Sequence, residues 1–143
     1  ELLYTNSEGR GTSIGNALEF VMKVSKRKSV VFLLSDFIDD NYWDSLKIDN
    51  KKHDFVGIKI SDPFEVNFPN VGMLKAEDPE TGSVFWIDTL NHSDLKNMND
   101  SNRKKVDSFL KRTKKLGIDI VSISTSNDYI EPLMKFFKKR GKK

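Results

Sequence analysis

Five side chains could carry chemistry together: Thr12, Ser13, Asp36, Asp39 and Asp62. A hydroxyl and a carboxylate on one rim suit a hard divalent cation, which takes oxygen ligands and commonly retains waters. Thr12 and Asp36 are the candidate ligands for Mg²⁺, with Mn²⁺ or Ca²⁺ as alternatives. Two protein oxygens are too few for a tight site, so other groups must complete it. Ser13, Asp39 and Asp62 are the polar groups nearby that a partner would touch. Plainer readings stand beside these. Asp36 also reads as a loop acid or a helix cap, and Asp62 as the acid that shapes the turn at Pro63.

These residues share a rim only if the chain positions them so. The stretch Ser29-Val30-Val31-Phe32-Leu33-Leu34-Ser35-Asp36-Phe37 holds five apolar residues in a row. Such a run suits a strand buried on both faces, as in a parallel sheet. It stops at Ser35-Asp36, and in open α/β sheets ligands gather beyond the carboxyl ends of strands. Ahead of it, Ile14, Ala17, Leu18, Val21 and Met22 form one apolar helical face. Thr12 and Ser13 stand at that helix's start, and Lys26-Arg27-Lys28 closes it.

Residues 41–48 read as a short helix and 55–61 as a second strand, ending at Asp62-Pro63. Residues 73–90 read as a β-hairpin around Asp78-Pro79-Glu80-Thr81-Gly82. From Ser93 a helix grows whose face carries Val106, Phe109, Leu110, Thr113 and Leu116, with Gly117 as its stop. A third strand spans 118–124 and ends at Thr125–Asp128. A last helix turns Ile130, Leu133, Met134 and Phe137 inward. The order is an α/β alternation, and right-handed crossovers make the three long strands parallel. Asp36, Asp62 and the 125–128 group then lie along one rim, which Thr12 joins. The expected organisation is a single α/β domain over residues 1–143.

The composition, 37% hydrophobic and 31% charged, is that of an ordinary soluble chain. No apolar run approaches the roughly 20 residues of a membrane-spanning helix. The absence of cysteine excludes disulfides and thiolate chemistry and fits a reducing, cytoplasmic compartment. The net charge of +3 hides an asymmetry. Residues 1–100 hold 11 basic and 17 acidic side chains, and residues 101–143 hold 13 and 4. The basic end reads as a solvated helix face before it reads as a nucleic-acid site.

Gly11-Thr12-Ser13-Ile14-x-x-Ala17-Leu18, followed by the 29–37 stretch, resembles the von Willebrand factor A-like domain. With His53-Asp54-Phe55-Val56, Ser61-Asp62-Pro63-Phe64-Glu65 and the 78–82 turn, it resembles the bacterial family called domain of unknown function fifty-eight. The resemblance covers residues 9–125. It implies a parallel Rossmann-like sheet flanked by helices and a metal-ion-dependent adhesion site. There an Asp-x-Ser-x-Ser motif supplies most ligands, and a later threonine and an aspartate after the fourth strand complete them. Thr12 and Asp36 match the latter two, whereas no Asp-x-Ser-x-Ser occurs in residues 1–143. The chain is then the C-terminal half of an incomplete domain, or a member with a degenerate site. A MoxR-type AAA+ ATPase is the implied partner.

Other chemistries are weaker. His53 and His92 lack a second ligand at zinc spacing. There is no Gly-x-Ser-x-Gly elbow and no phosphate-cradling loop. Asp62 and Glu65 could form an acid/base pair, and Trp43 and Trp86 read first as partly buried core aromatics. The expectation is a non-enzymatic protein-interaction module whose rim-bound Mg²⁺ accepts a partner carboxylate. Its rivals are a metal-assisted phosphohydrolase using Asp36, Asp39, Asp40 and Asp62, and nucleic-acid binding through residues 103–143. With a neighbouring strand absent, strand 30–35 is expected to leave an open edge that forms a homodimer.

Overall fold

The computed structural model describes residues 13–39, 41–77 and 82–142, without the side chains of Glu65 and Val66. Thr12, Asp40 and most of the 78–82 turn therefore lie outside the described residues, as does the side chain of Glu65. The elements run α1 (Ile14–Val24), β1 (Val30–Ser35), α2 (Trp43–Lys52), β2 (Asp54–Ser61) and α3 (Pro63–Val66). There follow β3 (Met73–Glu77), β4 (Val84–Asp88), α4 (His92–Lys115), β5 (Asp119–Ser124) and α5 (Ile130–Arg140). The α/β alternation expected from the sequence is present. β1, β2 and β5 form a parallel sheet in the order β1-β2-β5, a Rossmann-like arrangement, and β3 and β4 form the antiparallel hairpin.

Alternation along each strand sorts its side chains onto two faces. Val31 pairs with Phe55 and Gly57 with Ile120, and these residues look toward α1, α2 and α4. There the core collects Ile14 and Leu18 of α1, Leu46 of α2, Phe109 of α4, and Phe37 and Tyr42 from the β1–α2 loop. Gly117 ends α4 at φ +70°. The Ile118 N–H reaches the Thr113 carbonyl at 3.0 Å and the Gly117 N–H reaches that of Lys114 at 3.1 Å. That pair of bonds satisfies carbonyls the helix leaves open, as its glycine stop implies.

The other sheet face departs from expectation. Val30, Phe32 and Leu34 are 55, 45 and 60% exposed, so β1 is not buried on both faces. Among the described residues β1 pairs with β2 alone, and α5 packs against β5 two strands away. α5 turns no residue fully inward: Ile130, Met134 and Phe137 stay half-exposed. Phe137 meets Phe32 edge-on at 5.9 Å, joining the two apolar surfaces. Trp86, on the hairpin, is 62% exposed rather than a core aromatic, whereas Trp43 is half-buried as expected.

Candidate functional site

The parallel strands bring Asp36, Asp39 and Asp62 to their shared carboxyl-terminal rim, where each does local work. Asp36 Oδ1 accepts the Ile38 N–H at 3.1 Å and the Ser35 hydroxyl at 3.3 Å. Asp39 accepts the Ile14 N–H at 3.0 Å through one oxygen and the Asn41 N–H at 3.0 Å through the other. It therefore ties the start of α1 to the loop after β1. Ser13 caps the same helix, its hydroxyl accepting from the Asn16 N–H at 3.2 Å. Asp62 caps α3 by accepting the Phe64 N–H at 2.8 Å, and its other oxygen accepts the Thr125 hydroxyl at 3.2 Å.

For a dication the described residues offer little. Asp39 and Asp62 have both carboxylate oxygens engaged. The Lys59 ammonium sits at the rim, donating to the Asp36 carbonyl at 2.6 Å, where it opposes a second positive charge. No three His, Cys, Asp or Glu residues converge among the described residues. The residues in view thus do not make a metal site by themselves, and its other expected ligand, Thr12, is outside them.

Beside the rim lies a cleft of about 1010 Å³ between the β1–α2 loop and α4. Phe37, Trp43 and Phe109 line it, and Lys59, Lys104, Lys105 and Arg112 contribute its cations. The Phe37 ring lies 4.8 Å from that of Phe109. The Arg112 guanidinium stands 4.2 Å over the Trp43 ring, and Lys59 Nζ lies 5.7 Å from the centre of Phe109. Phe37 reaches its place with φ +61°, a left-handed backbone that is uncommon for a bulky residue. Such an arrangement can hold anionic groups against an apolar floor.

Little in the sequence singles out these cations. One signal was available: Lys59 interrupts Ile58 and Ile60 in an otherwise apolar strand. Lys104, Lys105 and Arg112 are marked only as part of the basic stretch 103–143, three among many basic residues on a polar helix. The histidines stand apart. His92 opens α4, and His53 is buried at the amino end of β2, away from the rim. Next to His53, burial pushes the Asp49 carboxyl above its ordinary range, and the charges of His53 and Lys52 partly oppose it. Among the described residues no helix is long and apolar enough to cross a membrane.

The model of the family described as "Protein of unknown function DUF58" matches residues 1–107. The uncharacterized protein MAV169 of Mycobacterium avium is 25% identical over 130 residues, covering 89% of this chain and 75% of the relative. The uncharacterized proteins Rv1480 of Mycobacterium tuberculosis and Mb1516 of Mycobacterium bovis are 24% identical over 127 residues, or 87% of this chain. The match spans only 39% of the length of those two. No solved structure matches the chain. The chain belongs to the DUF58 family of proteins of unknown function.

Proposed function

We propose that this chain is a non-enzymatic protein-interaction module of the von Willebrand A-like class. The observation that carries the reading is β1. Among the described residues it is paired on one side only, and it presents Val30, Phe32 and Leu34 beside Phe137 of α5. An open strand edge offers main-chain donors and acceptors to another chain, and a contiguous apolar surface marks a protein contact. The rim supports the non-enzymatic part. Asp39 and Asp62 already accept two hydrogen bonds each, which leaves neither poised as a general base. A phosphohydrolase using the rim carboxylates is the weaker reading, since the sequence offers neither a phosphate-cradling loop nor an identifiable nucleophile. Nucleic-acid binding through residues 103–143 has only charge in its favour.

A second copy of the chain is the occupant proposed for the open edge of the chain in isolation, giving a homodimer. A MoxR-type AAA+ ATPase in the cytoplasm is the working partner that the resemblance implies. Mg²⁺ held by Asp36 and Thr12 is proposed as an accessory, and no part of the edge contact depends on it. Sedimentation velocity at tens of micromolar should show a dimer or larger species. Phe32→Lys with Leu34→Lys should shift it to monomer with the far-UV circular dichroism of the folded chain retained, and with a lower melting temperature, because Phe32 meets Phe137 and the dimer contact no longer adds to stability. A clean wild-type monomer at that concentration refutes the edge as a docking site. Melting with Mg²⁺ and with chelator reads the metal separately: a gain that Asp36→Ala removes supports it.

A further inference from the structure

We propose that the cleft between the β1–α2 loop and α4 binds an acidic, extended segment of a partner protein. The proposal rests on the protein-interaction reading for the class of its occupant, and adds a second contact surface that does not include Val30, Phe32 or Leu34 of β1. The lining brings Lys59, Lys104, Lys105 and Arg112 together against two carboxylates, Asp36 and Asp39. Asp39 is engaged by main-chain donors through both oxygens and Asp36 through one. Among the described residues none of the four cations is in an ion pair. Two of them rest instead on the aromatic floor, Arg112 on Trp43 and Lys59 over Phe109. A cation held on an apolar surface attracts an incoming carboxylate more strongly than one in open water.

Spacing identifies the occupant. Lys105 and Arg112 stand seven residues apart on α4, about 10 Å at the rise of an α-helix. With Arg112 held over Trp43, an occupant that spans this distance engages both cations without drawing the guanidinium off its ring. An extended polyproline II backbone advances about 3.1 Å per residue with three residues per turn, so acids three positions apart share one face about 9 Å apart and can meet the two cations at once. A nucleic-acid strand fits less well. Its bases need open ring faces, whereas Trp43 is already stacked on Tyr42 at 4.8 Å and on Arg112. The Asp36 and Asp39 wall would also repel a continuous phosphate chain.

The probe is a fluorescein-labelled peptide of about ten residues with glutamate at every third position on a Pro/Ser background, which favours the polyproline II backbone. Its glutamine counterpart, inorganic tripolyphosphate and single-stranded DNA serve as comparisons. Anisotropy at low salt should show saturable binding of the glutamate peptide and none of the glutamine peptide. Lys104→Glu with Lys105→Glu should weaken it about tenfold or more. Lys138→Glu with Lys139→Glu, the same charge change beyond the cleft, should alter it less than about twofold. Lys104→Gln with Lys105→Gln should give an intermediate loss, which guards against misfolding of the reversed variant. Equal weakening by both reversals would mean diffuse attraction and overturn the proposal. So would tighter binding of tripolyphosphate or DNA through Lys104 and Lys105. Absence of peptide binding while the β1 variants still alter association would sink the cleft and leave the interaction module standing.

Discussion

Truncating Phe37 offers a test of the rim's construction whose outcome can be worked from the structure. The side chain is 8% exposed and packs on Phe109 and Tyr42, over the Cα of Gly57. Phe37→Ala should cost about 3–5 kcal/mol, the range for deleting a buried aromatic. With a urea m-value of about 2 kcal/mol/M, that moves the midpoint by roughly 2 M. The informative comparison is Phe37→Gly. At an ordinary position glycine is worse than alanine by about 0.5–1 kcal/mol, because it loses more backbone freedom on folding. Here φ is +61°, where an L side chain is disfavoured by about 1–2 kcal/mol and glycine is not. The order should therefore reverse, with Phe37→Gly more stable than Phe37→Ala by about 1 kcal/mol, a midpoint difference of roughly 0.5 M. Trp43, stacked between neighbours in the same cluster, reports unfolding by fluorescence, while exposed Trp86 adds a nearly constant background. A glycine variant equal to or weaker than the alanine variant would refute the left-handed turn. A loss under about 1 kcal/mol in Phe37→Ala would refute the packing.

Three further outcomes follow from particular contacts. A Cβ at Gly57 would stand 2.5 Å from Ile120 Cδ1 and 3.1 Å from Phe37 Cζ, so Gly57→Ala should destabilise by about 1–3 kcal/mol. An unchanged urea midpoint would mean that Ile120 simply rotates away. Asp39→Ala removes the acceptor for the Ile14 and Asn41 N–H groups and should lower stability by about 0.5–2 kcal/mol. A loss no larger than at a solvated acid such as Asp44 would count against the cap. Burial raises the folded-state pKa of Asp49 above its ordinary 3.8, so folding favours the protonated acid. That contribution is whole below the ordinary value and is lost as pH rises through the raised one. Asp49→Asn, which cannot ionise, should gain on the wild type as pH rises from the acid range to neutrality; parallel stability profiles would contradict this.

Much of the frame was legible in the chain. The apolar faces of α1 and α4 and the glycine after α4 are local patterns, and local sterics and hydrogen bonding produce the elements they imply. Parallel pairing followed from the order of those elements and the handedness of crossovers. The cap at Ser13 was legible for the same reason, since a side chain needs to reach only two or three residues along; Asp62 reads as shaping its turn, and the structure adds that it caps α3.

Tertiary structure decided what depends on neighbours far along the chain. Five apolar residues in β1 read as burial on both faces, but burial requires something to cover each face, and α5 packs over β5 and touches β1 through Phe137 while Val30, Phe32 and Leu34 stay exposed. Asp39 caps a helix that begins 25 residues earlier, a pairing no local pattern encodes. Phe37 adopts a left-handed backbone with its ring against Gly57 and Phe109, although nothing in Ser35-Asp36-Phe37 calls for one. The cations of the cleft come from β2 and from α4, about 45 residues apart and polar in both contexts. A sequence fixes the period of each element through its nearest residues. Which surfaces then meet, and which charges share one low-dielectric floor, is settled by packing between elements distant in the chain.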